Sequence, residues 1–177
     1  MSDFEDVRAF HDRFGLDALR STVPIPLSVE LARFRIGFMI EELAEYAEAS
    51  GASEIGAALH ELSVSARSAR VCGDPDLVGA VDSLVDLTVV ALGTADYHGT
   101  PWPECWSAVH SANMQKMRSA QDGSDSKRGV GFDVVKPAGW IAPDLAILLE
   151  LEKRGANLGG LYDVDRATGK VSLRSRR

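Results

Sequence analysis

"FMIEELAEYAEA", residues 38–49, decides how the chain is read. Leu31, Phe34, Phe38, Glu42, Glu45 and Ala49 fall along one side of a 3.6-residue helix. A seam of Leu and Phe turns into carboxylates and then returns to Ala. Ser28 stands where an N-cap belongs and Gly51 where a helix stops, so one helix is expected between them.

The rest of the chain reads mostly as helix. Residues 3–14 form a short helix ended by Gly15, and "VPIP" at 23–26 is a stiff linker. Residues 53–71 are a third helical segment. "CGDPD" at 72–76 breaks it, and Pro75 suits the first turn of a fourth helix over 76–97, apolar on nearly every side. "HGTP" stops that helix and another runs roughly over 102–117. Residues 121–139 read as loop, with a short strand at "GFDVV". Pro143 opens a last helix, and "LYDVDRATGKVSL" reads as a small hairpin turning at "ATG". The expected fold is all-α: a helical bundle, one domain over 1–150, then a tail over 151–177 with a possible β-hairpin.

Composition bounds the function. The chain has 177 residues, 45% hydrophobic and 25% charged, which is globular composition. A net charge of −7 argues against non-specific nucleic-acid binding but is compatible with an anionic substrate held through a metal. Two cysteines, Cys72 and Cys105, without a CxxC pair fit free thiols in a reducing compartment. The acidic N-terminus "MSDFEDVRAF" is no signal peptide, and no apolar run approaches spanning length, so no membrane span is expected. A cytoplasmic setting without a membrane partner is expected.

The fourth helix repeats the puzzle of the second. Its seam reads Val78, Asp82, Val85, Asp86, Val89. A lone buried carboxylate is costly, so paired acids on two apolar helices call for a cation between them. Oxygen ligands without nearby His or Cys suit Mg²⁺, with Mn²⁺ as the alternative. Taken alone, "EELAE" reads as a solvated helix face; Asp82 and Asp86 weigh against that, since their helix has little polar surface to present. A di-iron bundle would need Glu-x-x-His on two helices, and no Glu of the bundle has His at that spacing. In "VHSANMQKM", Asn113 and Lys116 stand one turn apart, an amide and an ammonium able to grip a phosphate chain together with Arg35. Lys116 alone reads better as a solvated lysine, and Asn113 alone reads equally as a polar helix contact.

"RIGFMIEELAEYAEA", "VDSLVDLTVVALGTADYHG", "VHSANMQKM" and "VVKPAGWIAPDL" together resemble the all-α nucleoside triphosphate pyrophosphohydrolases, in their MazG-like and phosphoribosyl-ATP-pyrophosphohydrolase-like branch. The resemblance covers about residues 4–149. It implies a four-helix core, a homo-dimer or homo-tetramer, and Mg²⁺-dependent cleavage of an NTP or dNTP to the monophosphate and pyrophosphate. The family's metal signature, Glu-x-x-Glu on one helix and Glu-x-x-Asp on another, falls on Glu42, Glu45 and Asp86. Asn113 and Lys116 match its Asn and Lys near the phosphates, and Arg35 a recurrent Arg. The position three before Asp86 is Ser83 rather than Glu, and Asp82 one residue earlier takes its place as fourth ligand. Residues 53–72 lengthen the stretch between the acid pairs. Glu41, beside the ligands, is the candidate base. Trp102, Trp106 and Tyr97 are candidates for a nucleobase pocket, each weighed against a place in the core. The reading from another class is a non-catalytic helical interaction module that keeps the fold.

Asp82 lies on the side of Asp86 opposite to that of position 83, and Asp reaches one methylene less than Glu. If Asp82 is a ligand, Asp82→Asn weakens divalent-metal binding at least about tenfold, with partial rescue by more metal. Unchanged metal binding together with an unchanged nucleotide KM would remove Asp82 from the site.

Overall fold

The computed structural model describes residues 2–174. The all-α expectation holds: six helices carry the architecture, with two short two-stranded ribbons toward the C-terminus. By packing, the chain divides into two units. One comprises Met1–Arg20 with Leu87–Arg177, the other Ser21–Asp86.

The second unit is built on a helical hairpin. Helix α2 (Val29–Ala49) starts at Ser28, whose hydroxyl accepts from the Leu31 N–H at 3.2 Å. It ends at Ser50, and Gly51 at φ +84 makes the left-handed turn that only glycine takes without strain. Helix α3 (Ser53–Ala66) then folds back along α2. It is shorter than the segment read from the sequence, because 67–76 continue as turns and loop.

The face α2 buries shares Phe34 with the seam counted in the sequence and departs from that seam at the acid pair. Phe34, Gly37, Ala44 and Ala47 are buried, while Glu42 and Glu45 are exposed. Small residues explain the choice. A Cβ on Gly37 would lie 2.9 Å from the Ser63 carbonyl oxygen and from Arg67 Cγ, and one on Gly56 would lie 2.4 Å from Glu48 Cγ. At each of these approaches one helix contributes a residue without a side chain, which leaves room for the other. Ser63, 2% exposed, satisfies its hydroxyl on the His60 carbonyl at 2.8 Å, so it fits the tight seam without a stranded donor.

Helix α4 (Leu77–Tyr97) begins one residue later than expected. Asp76, not Pro75, marks its start: the Asp76 carboxylate accepts from the Gly79 N–H at 3.0 Å. None of its residues is buried, and every residue from 81 to 92 is exposed. The expectation that no segment reaches membrane-spanning length is corrected here. By length and composition alone α4 could cross a bilayer; Asp82 and Asp86 interrupt the apolar run in a linear scan, but the helix as a whole passes. Each Asp near a bilayer centre would cost about 2.5–3.5 kcal/mol, which weighs against lipid as its surroundings.

In the first unit, α1 (Asp3–Arg13) opens with a reciprocal capping box between Ser2 and Glu5, and a single 3-10 turn follows at Asp17–Leu19. Helix α5 (Trp102–Asn113) is tied to α1 by two indole N–H groups. Trp102 donates to Asp3 and Trp106 to Asp6, each at 2.9 Å. Strand β1 (Met117–Arg118) pairs antiparallel with β2 (Val134–Val135), so the last turn expected of α5 is instead turn and strand. Between them, Asp133 is buried and held by Arg128 and Ser126. Helix α6 (Asp144–Lys153) follows Pro143, and the hairpin of β3 (Tyr162–Val164) and β4 (Val171–Leu173) forms as read. Its turn is pinned to the start of α6: the Ala142 N–H donates to the Thr168 carbonyl at 2.8 Å and the Leu145 N–H to that of Gly169 at 3.0 Å.

Gly37→Ala tests the α2–α3 seam. Alanine gains up to about 1 kcal/mol of helix propensity, but overpacking against a backbone carbonyl costs about 1–3 kcal/mol. Urea unfolding is expected to show a net loss of roughly 1 kcal/mol. A midpoint at or above that of the parent chain would mean that the seam has room.

Candidate functional site

The acid pair of α2 sits on an open face. Glu42 and Glu45 are one turn apart and both exposed, beside Leu43 and Tyr46, which are exposed as well. Arg35 is exposed on the same helix, its guanidinium 5.7 Å from the Phe38 ring centroid, a cation–π contact that steadies the side chain. Asp82 and Asp86 lie on the exposed length of α4. Among the described residues, no group of three or more His, Cys, Asp or Glu side chains is placed to hold a metal ion.

Glu41 differs from its neighbours. Its carboxylate is largely buried and accepts a hydrogen bond from the Arg67 guanidinium at 2.5 Å, a charge-assisted contact from the far end of α3. Arg67 passes directly over Gly37, so the glycine that admits the close approach also makes room for the partner of Glu41. Sequence reasoning missed Arg67. It stands 26 residues from Glu41, and only the folding back of α3 brings it there.

Asn113 and Lys116 belong to the other unit. Asn113 is the last residue of α5, and the Lys116 N–H donates to the Asn113 carbonyl at 3.1 Å as the chain turns toward β1. Both side chains are partly buried. Immediately before them the Ala112 carbonyl accepts from the Trp140 indole N–H at 2.8 Å, and the Trp140 ring carries the Lys136 ammonium 4.4 Å from its centroid. Trp140 and Lys136 were also missed. They were legible as "VVKPAGW", but nothing in a linear sequence says that this segment returns to the end of α5.

The aromatic candidates separate. Trp102 and Trp106 have their N–H groups committed to α1, which is a packing role. Tyr97 is 92% exposed at the end of α4. Neither cysteine adds chemistry to the site. Cys72 is exposed in the loop before α4, and Cys105 is buried in α5, where desolvation, with Glu104 and Glu150 adding, pushes its thiol above the ordinary range.

A family model described as phosphoribosyl-ATP pyrophosphohydrolase matches residues 7–113, well over half of the chain. The matched span contains Arg35, Glu41, Glu42, Glu45, Asp82, Asp86 and Asn113. No curated relative and no solved structure matches.

Proposed function

Because the chain belongs to the phosphoribosyl-ATP pyrophosphohydrolase family, we propose that it hydrolyses a nucleoside triphosphate, NTP or dNTP, to the monophosphate and pyrophosphate. The observation that carries this reading is that one family match spans both acid pairs and Asn113. Enzymes of this family are divalent-metal dependent; we assign Mg²⁺ here, with Mn²⁺ as its substitute, and Glu42, Glu45, Asp82 and Asp86 as the carboxylates that meet it. The activity belongs to residues 1–150, with 151–177 as a tail.

Each side chain has a role set by its chemistry. A bound cation would supply charge neutralisation at the phosphates. Asn113 donates its amide N–H to a phosphate oxygen, and the Lys116 ammonium offsets the charge that grows on the departing pyrophosphate. Arg35 offers a second cation to the phosphate chain. Glu41 takes the proton of the attacking water. It must first share or release its contact with Arg67, so Arg67 controls when that carboxylate is available.

The same reading makes the protein a homo-dimer or homo-tetramer in the cytoplasm, with a small-molecule partner and neither nucleic acid nor membrane. The exposed apolar length of α4 supports it. Val78 is 81% exposed, and Val85, Val89 and Val90 are each more than half exposed, a larger apolar surface than a monomer ordinarily leaves in water. A second copy covers this surface without burying Asp82 and Asp86 in hydrocarbon.

Pyrophosphate release from a panel of nucleotides, with and without Mg²⁺, tests the activity. Release is expected only with metal, and Glu42→Gln or Glu45→Gln should lower it by about a hundredfold or more in a chain that still folds, since removing charge from a crowded acidic face relieves repulsion. No release from any nucleotide would leave the non-catalytic module. Sedimentation at micromolar concentration is expected to give a dimer or tetramer; a monomer would overturn the assembly.

A further inference from the structure

Met117 faces Val135 and Arg118 faces Val134 across the β1–β2 ribbon. The Ser119 N–H donating to the Asp133 carbonyl at 3.0 Å continues that register at one end. One step beyond the other end, the same register sets Lys116 opposite Lys136. That register carries a lysine of each strand's flank to the mouth of the ribbon.

Lys136 is also held in place. Its ammonium lies 4.4 Å from the Trp140 ring centroid. The ring is fixed in turn by the 2.8 Å hydrogen bond from its indole N–H to the Ala112 carbonyl. A tight turn delivers it: the Trp140 N–H donates to the Pro137 carbonyl at 3.1 Å, and Gly139 at φ +75 takes the position a type II turn reserves for glycine. Asn113, Lys116, Lys136 and the Trp140 ring thus gather at the C-terminal end of α5. The negative end of the helix dipole accounts for a cation within the last turn. It does not account for a second one carried in from a separate strand and set against an aromatic face. Two lysines and an asparagine brought to the same end of one helix suit a ligand with several anionic oxygens.

We propose that Lys136 is a phosphate-binding residue that works with Lys116 and Asn113 on the di- or triphosphate portion of a nucleotide, with Trp140 as the positioning residue that holds its ammonium. The inference rests on the assignment of Asn113 and Lys116 to the phosphates. It extends the site beyond residues 7–113, into the segment that follows the family match.

Titration calorimetry with inorganic tripolyphosphate tests this without turnover. Lys136→Gln is expected to weaken binding about tenfold, or about 1.4 kcal/mol, and to lessen its salt dependence. Lys136→Arg, which keeps the charge and the stacking, should stay within about threefold of the parent chain. Lys170→Gln, an exposed lysine of the β3–β4 turn, should bind as the parent does, and all three should melt with it. Parent-like binding by Lys136→Gln, an equal loss in Lys170→Gln, or no binding of tripolyphosphate by the parent chain at millimolar concentration would each overturn the proposal. Failure of the proposed activity reads differently: no pyrophosphate is released from any nucleotide while tripolyphosphate binding still depends on Lys136.

Discussion

Two glycines govern the acid-bearing part of this chain. Gly37 and Gly56 let α2 and α3 approach until backbone and Cγ atoms stand where a Cβ would otherwise be. That closeness buries Ala44 fully and the Ser63 hydroxyl with its own carbonyl partner. It also lays Arg67 across α2 onto Glu41. Once the small-residue face is committed to α3, Glu42 and Glu45 must look outward, because they occupy the neighbouring face of the same helix. The packing of small residues thus separates one largely buried glutamate, held by Arg67, from two exposed ones in a run where all three look alike.

Helix α4 shows the opposite physics. It is the most apolar helix of the chain and buries nothing. An exposed apolar surface of this length is unstable in water, and the two aspartates within it make hydrocarbon a costly cover. A protein surface that also supplies a cation resolves both demands. The proposed homo-oligomer and the proposed metal dependence therefore draw support from the same helix.

The segment after α5 is tied down at several points. Asp133, with Arg128 and Ser126, anchors the return strand, and the β3–β4 turn is bonded to the start of α6. These contacts hold the "VVKPAGW" stretch rigidly enough for one indole N–H to reach the end of α5. A rigid support of this kind is what a phosphate-binding lysine needs, because a flexible one loses its affinity to ordering entropy.

Helical periodicity, the caps at Ser28 and Gly51, and the turn signal of the last hairpin follow from local sequence, since each depends on backbone preferences within a few residues. The acid spacings of 42 with 45 and 82 with 86 are likewise local, and so is the family resemblance they carry. Which face of α2 would be buried was not legible. Phe34 is buried, but beyond it Gly37, Ala44 and Ala47 are buried in place of Glu42 and Glu45, because close approach between helices rewards the absence of a side chain, and that advantage exists only once the second helix is present. The Glu41–Arg67 pair, the exposure of α4 and the seating of Lys136 on Trp140 beside the end of α5 are of the same kind. Each joins residues far apart in the chain, or depends on what fails to pack against them, and tertiary structure alone decides it because the contact energies belong to pairs that no local spacing brings together.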